Sequence, residues 1–359
     1  MCIRLSWFYQ YSRYTPRYMH IIVDIRTRAP HELLVPKVGI AWASMWQRQR
    51  RDDKITLLIY EHQEKLPWFH YVVAPGHYGP WWKKSLKPRT GNEVFRCVSF
   101  STLDVYDTSI PTVRHIWSNA HALYPTLYEG TFMRKWNEWW RKISLKKPTT
   151  LIVPDIQIGR ELVEIYDIGE DSIEIVPHIP LDPYTAGNWF QQLQDLGSYF
   201  IYDGGYGEEA NLMTLFVAWE KYIHAGWRHQ LLLLGMAGET LSSITHMLRS
   251  LDIHGSVRYI WALDEASLAH IYRNASWWIY TGAYYGAWPI IEVALAYALP
   301  LLLSDIRAFE QYEWIKVHPS HTAEIAQCIK LLEKTESIPH IRHHERTYIE
   351  AYEKILMKK

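Results

Sequence analysis

The run YTGAYYGAWPIIEVALAYALPLLLSD, residues 280–305, limits the possible folds of this chain more than any other stretch. Its opening loop is broken by Gly282 and Gly286 and leads into Pro289, whose fixed φ and missing N–H suit the first position of a helix. The segment IIEVALAYAL then holds one acid, Glu292, among apolar residues and stops at Pro300. The following LLLS is a short apolar run, which reads as a strand buried on both faces. Loop, helix and buried strand in that order build an α/β sheet. They also put Glu292 in the first helical turn, where the helix dipole stabilises a carboxylate beside whatever occupies the loop. In an open α/β sheet, that end of the strands is where ligands bind.

The same alternation runs along the rest of the chain. HIIVDI (20–25), ITLLIYE (55–61), FHYVVAP (69–75), PTVRHIW (111–117), TTLIVPD (149–155) and SIEIVPHIP (172–180) read as strands. Residues 38–53, with Gly39 at the mouth, residues 126–145 and residues 158–168 have helical spacing, whereas 1–17 read as irregular and 76–92 as a surface loop. Residues 181–197 mix Pro, Gly and polar side chains, so they are the expected linker between a first domain at 1–180 and a second at 198–335. In the second domain, SYFIYDGG (198–205), HQLLLLG (229–235), VRYIW (257–261), WWIYTG (277–282) and LLLSD (301–305) predict five strands of one doubly wound sheet. The tail is helical from Ala323 with a break near Pro339, and residues 336–359 are expected to cross back onto the first domain.

A length of 359 residues suits two cores better than one, and 48% hydrophobic with 21% charged residues is an ordinary globular composition. The formal net charge is zero, yet residues 1–180 carry 24 basic against 18 acidic side chains and the remainder 14 against 20. Basic clusters such as Arg48, Arg50, Arg51 and Arg141, Lys142, Lys146, Lys147 fit either solvated faces or peripheral docking on an anionic membrane or acceptor. No nucleic-acid partner is expected. Three scattered cysteines lack metal-ligand spacing and suit a reducing compartment, so no metal site is expected. No apolar run reaches about 18 residues and no signal pattern opens the chain. The expected location is therefore cytoplasmic, with any membrane contact peripheral and at the inner face.

The ordered series YFIYDGGYGEEANL, LLLLG, VRYIWALDEASLAHIYRNAS, YTGAYYGAWPIIEVALAYALPLLLSDI and HPSHTAEIAQCI resembles the C-terminal domain of GT-B glycosyltransferases, specifically the retaining group called glycosyltransferase family 4. The resemblance covers residues 198–330. PTVRHIW with ALYPTLYEG, and the stretch 151–180, are similar to segments that end the family's N-terminal domain, while residues 1–110 match only in general pattern. It implies an α/β architecture of two Rossmann-like doubly wound domains facing across a cleft. It further implies a nucleotide-sugar substrate, no cofactor, and retaining transfer to a hydroxyl of a glycan or lipid-linked saccharide. On this resemblance the donor is held by Gly204, Gly205, Asn211, Tyr284, Tyr285, Gly286, Glu292, Ser304 and Asp305, with Glu292 on the nucleotide ribose. The family's N-domain histidine falls at or beside Trp117, which makes His115 and His121, with Glu292, the catalytic candidates.

The chain departs from that pattern where charge matters. An Arg and a Lys of the family's diphosphate loop correspond to Glu209 and Ala210. The first of two family glutamates falls at Tyr285, and the second reaches Glu292 only with a one-residue shift, Val293 standing in register. Trp261 and Trp288 occupy places where the family has glycine; either these codons encode glycine under another genetic code, or the chain is simply rich in aromatics. The departures leave open a catalytically impaired relative that serves as a binding or scaffolding partner. An epimerase-type isomerase on the same fold is a third reading, resting on fold analogy alone.

Overall fold

A computed structural model of the protein describes residues 19–27, 34–61, 63, 65–74, 94–101, 110–123, 139, 141–146, 150–185, 197–206, 208–235, 239–260, 264–284, 290–310, 312, 314–332 and 345–357. The first sheet has strands β1 (Met19–Asp24), β2 (Lys54–Tyr60), β3 (His70–Ala74), β4 (Val94–Ser99), β5 (Thr112–His115), β6 (Thr150–Val153) and β7 (Ile173–Ile175) in the order β3-β2-β1-β4-β5-β6-β7. The second has β8 (Tyr199–Tyr202), β9 (Gln230–Leu234), β10 (Val257–Ile260), β11 (Trp277–Tyr280), β12 (Leu301–Ser304) and β13 (Ile315–Val317) in the order β10-β9-β8-β11-β12-β13. Every neighbouring pair in both sheets is parallel. A parallel strand needs a crossover, and several pass through helices α1 (Leu34–Gln49), α2 (Ala120–Leu123), α3 (Ile156–Tyr166), α4 (Leu212–His224), α5 (Glu239–Ser250), α6 (Glu265–Asn274) and α7 (Ile290–Ala296), while α8 (Thr322–Leu332) and α9 (Glu345–Met357) follow the last strand.

Strands that are covered on both faces carry near-continuous apolar runs, and here β1, β8, β11 and β12 are buried at every position. Two strands escape that pattern. VFRCVS interrupts its apolar residues with Arg96 and Ser99, yet forms β4 at the centre of the first sheet; IKV is only three residues long, yet adds β13 as a sixth strand where the sequence predicted five. Gly39 is a further correction. It lies inside α1, which begins at Leu34 and takes Pro36 into its first turn, where a missing N–H costs little. The glycine is needed for approach rather than for a helix start, since a Cβ there would sit 2.1 Å from Ile25 Cγ2. Within the expected helix at 126–145, only 139 and 141–145 are described, and they are helical. The expected loop at 76–92, the irregular residues 1–17 and the break near Pro339 lie outside the described residues.

Helix α9 ends on the first sheet rather than the second. Glu353 Oε1 accepts from Arg50 Nη1 at 3.4 Å, and the Leu356 carbonyl accepts from Arg96 Nε at 2.8 Å. Tyr352 is fully buried between Trp42, at 5.4 Å between ring centroids, and His115, at 5.7 Å. No helix among the described residues is long and apolar enough to cross a membrane.

Candidate functional site

Each sheet places its fourth strand against its first, so the connections leave in opposite directions on either side of that pair. In open α/β sheets, ligands bind at that point, outside the carboxyl ends of the strands. In the second sheet those ends are Asp203–Gly205 after β8 and Thr281–Tyr284 after β11.

Tyr280 organises the two loops. It is fully buried, its ring stacks with Tyr202 at 6.1 Å, and its hydroxyl donates to the Tyr284 carbonyl at 2.5 Å. Both loops wrap that ring closely. A Cβ on Gly204 would lie 2.4 Å from it, and one on Gly282 would lie 2.3 Å from the Tyr280 hydroxyl. Gly205 follows at φ +87°, a conformation that costs a side chain but not a glycine. The loops are also tied to each other: Ala283 N–H donates to the Glu209 carbonyl at 2.9 Å. Asn211 Nδ2 donates to the Thr281 carbonyl at 3.3 Å and to the Pro319 carbonyl at 2.6 Å. Ser304, buried at the end of β12, donates to the Gly282 carbonyl at 2.6 Å, while neighbouring Asp305 is exposed. Asn211 and Ser304 thus spend their side chains on backbone groups of the loops. Tyr285 and Gly286 lie outside the described residues, as do Trp261 and Trp288.

Glu292 is the third residue of α7 and only 2% exposed. Its Oε1 accepts from the Tyr312 hydroxyl at 3.0 Å. Burial pushes its carboxyl up to about 8 against the opposing effect of that hydrogen bond. Asp203 is a titratable group that the motif comparison passed over. It sits directly before Gly204, accepts from the Tyr272 hydroxyl at 2.8 Å, and is pushed by burial up to about 6. The signal was present as an acid at a strand end, but its perturbation depends on Tyr272, 69 positions away. The loop DGGYGEEAN, 203–211, therefore holds three acids and no cation.

The histidine candidates divide. His115 ends β5, is buried, pairs through Nε2 with the Tyr352 hydroxyl at 2.5 Å, and stacks on Phe100 at 4.2 Å and Trp117 at 4.9 Å. Burial and then His178 hold its imidazole well below the ordinary range. It is bonded into the aromatic core under α9. His121 lies in the short helix α2. The corresponding edge of the first sheet, at the ends of β1 and β4, instead carries a buried ion pair: Asp24 accepts from Arg26 Nε at 2.8 Å and Nη2 at 2.9 Å. Among the described residues no group of three or more His, Cys, Asp or Glu is arranged to hold a metal.

The two sheets' carboxyl edges meet through polar contacts, among them Lys37 Nζ of α1 with Glu265 Oε1 of α6 at 3.8 Å and a network around Tyr284. Tyr284, from the β11 loop, donates its hydroxyl to Glu161 Oε2 of α3, and that hydroxyl accepts from Asn119 N–H at 3.3 Å. Asn119 Nδ2 donates to the same Glu161 oxygen at 3.2 Å, and Gln157 Nε2 donates to the other at 3.0 Å.

No family model matches the chain, and no curated protein sequence matches it. Solved structures do. Sucrose-phosphate synthase from Thermosynechococcus elongatus aligns at 14% identity over 88% of this chain and 90% of that one, with a TM-score of 0.62. HepE from Anabaena, in complex with UDP-glucose, aligns at 11% identity over 88% and 90%, with a TM-score of 0.60. WaaG, a glycosyltransferase involved in lipopolysaccharide biosynthesis, aligns at 10% identity over 88% and 91%, with a TM-score of 0.59. With its two parallel sheets in this order and edges facing, the chain has the GT-B fold, in which two Rossmann-like domains share a cleft.

Proposed function

We propose that the protein is a retaining glycosyltransferase, moving a sugar from a nucleotide donor to a hydroxyl of a glycan or lipid-linked saccharide. The observation that carries this reading is the pair of glycine-bearing loops around Tyr280 at the second sheet's switch point, with buried Glu292 at the start of the next helix. Such loops suit an anionic, hydroxyl-rich ligand. Backbone N–H groups at Gly204 and Gly205 suit a diphosphate, since the loop offers no cationic side chain. Glu292 suits the ribose, accepting two hydroxyl hydrogen bonds once ionised. Because burial pushes its carboxyl up to about 8, donor binding that requires the ionised form should release a proton at pH 7. The transfer passes through an oxocarbenium-like state, so the cleft has to shield that state from water and stabilise the departing nucleotide.

UDP-glucose is the probe for calorimetry, run in two buffers of different ionisation enthalpy. Wild-type protein should bind with proton release, and Glu292→Ala should bind about 10-fold or more weakly, the equivalent of at least one charge-assisted hydrogen bond. An unchanged dissociation constant in Glu292→Ala sinks the ribose role. The acid-only loop 203–211 is what favours the alternative of an impaired binding or scaffolding partner. Binding of the nucleotide sugar without turnover on any membrane-extract acceptor would decide for it.

Peripheral contact with anionic lipid belongs to the same reading. Trp139 is 52% exposed and Lys142 is exposed beside it, although Arg141 turns inward to the Ser118 carbonyl at 3.2 Å. Each surface cation is worth about 1 kcal/mol near an anionic membrane and is screened by salt. Flotation with phosphatidylserine vesicles should recover the protein at low salt and lose it at high salt. Recovery that is absent or indifferent to salt rules the contact out.

A further inference from the structure

We propose that Glu161 and Asn119, both from the first domain, are positioning residues that hold the β11 loop of the second domain in its working shape through the Tyr284 hydroxyl. The inference rests on the fold and on these contacts; it deepens the donor-site reading of the loop but does not need it.

Residues 281–284 have anchors within their own domain, namely Tyr280, Asn211, Ser304 and the Glu209 carbonyl. All of these grip the backbone. Tyr284 is the place where the loop leaves its own domain, and its side chain is buried to 4% exposure in the other. A phenol has one proton to donate and oxygen lone pairs to accept with, and both functions are used here: the proton goes to Glu161, and the oxygen takes the Asn119 N–H. Glu161 is itself fixed, because Asn119 Nδ2 and Gln157 Nε2 occupy its two oxygens and α3 is capped by Asp155, whose Oδ1 accepts from Gln157 N–H at 2.7 Å. Burial and the adjacent Glu161 carboxylate hold the Tyr284 phenol far above its ordinary range, so it stays a donor at any working pH. The hydrogen bond to a charged acceptor inside a water-excluded seam is of the stronger kind. Parting the two domains breaks it and leaves the Glu161 carboxylate to water, which ties the loop's anchor to their contact.

Hydrogen exchange on the ligand-free protein reads this directly, because two amides report different things. Asn119 N–H is bonded to the Tyr284 hydroxyl and will exchange faster in Tyr284→Phe whatever that contact does for the loop. Ala283 N–H is bonded to the Glu209 carbonyl inside the second domain and will respond only if the first domain holds the loop. In Tyr284→Phe and Glu161→Leu, exchange at Ala283 should rise about 10-fold, the counterpart of about 1.4 kcal/mol. Glu161→Gln keeps a carbonyl acceptor for the phenol and should return Ala283 to within about threefold of wild type. If Glu161→Leu fails to fold, Tyr284→Phe carries the same readout. Fast exchange at Asn119 with Ala283 unchanged in Tyr284→Phe overturns the proposal. UDP-glucose binding by the wild type, measured separately, tests the donor reading and leaves this result intact.

Discussion

Glu292→Gln should raise thermal stability at pH 8.5 and flatten the pH dependence of stability between pH 5 and 8.5. The folded protein holds this carboxyl at about 8, whereas its ordinary value is 4.5. A raised acid binds its proton more tightly folded than unfolded, so its contribution to stability is complete below 4.5 and disappears as pH rises through about 8. At about 1.36 kcal/mol per unit, the full effect is on the order of 5 kcal/mol, large against a typical stability of about 5–15 kcal/mol. Glutamine keeps the volume and an acceptor for the Tyr312 hydroxyl, and removes the charge. Denaturant unfolding of wild type and variant at pH 5, 7 and 8.5 makes the comparison. Parallel curves across that range would mean that Glu292 does not titrate in the folded protein as its burial implies. A carboxyl perturbed this far by burial is the kind of group that functional sites carry.

Much of the fold could be read from the sequence because parallel strands covered on both faces must be apolar, and WWIY, LLLS and QLLLL are. The failures have particular causes. VFRCVS is a central strand despite Arg96, because that side chain reaches the Leu356 carbonyl of a helix 260 positions later. Gly39 looked like a helix entrance because glycine usually marks a boundary; its real constraint is Ile25, a neighbour in space. The glycines around the site were visible for the converse reason, since their requirement is local backbone geometry next to Tyr280. What could not be read was electrostatic. The perturbation of Asp203 and the bond between Glu161 and Tyr284 both depend on partners far away in sequence, the second pair 123 positions apart. His115 shows the same limit from the other side. Its position matched a catalytic pattern, but its surroundings are three aromatic rings and a hydroxyl from the end of the chain.

Tyr352→Ala should destabilise the first domain although the residue lies seven positions before Lys359 and the second domain intervenes. The ring is fully buried between Trp42 and His115, and truncating a buried aromatic to alanine typically costs about 3–5 kcal/mol. The hydroxyl adds to this. It pairs with His115 Nε2, and leaving a buried nitrogen without a partner costs about 1–3 kcal/mol more. Tyr352→Phe separates the two contributions by keeping the ring and losing only the second. The pH dependence has a defined sign as well. Burial depresses the His115 imidazole, so the unfolded chain takes up a proton that the folded one refuses, and stability from this group is lost as pH falls below its ordinary value of 6.5. Going from pH 7 to pH 5 should therefore be less favourable to the wild type than to His115→Phe in denaturant unfolding, and Tyr352→Ala at pH 7 should lower the midpoint of the transition that exposes Trp42 and Trp46. A loss of less than about 1 kcal/mol in Tyr352→Ala would mean that α9 rests on the first sheet without supporting it, since ordinary surface substitutions stay within about 0.5 kcal/mol.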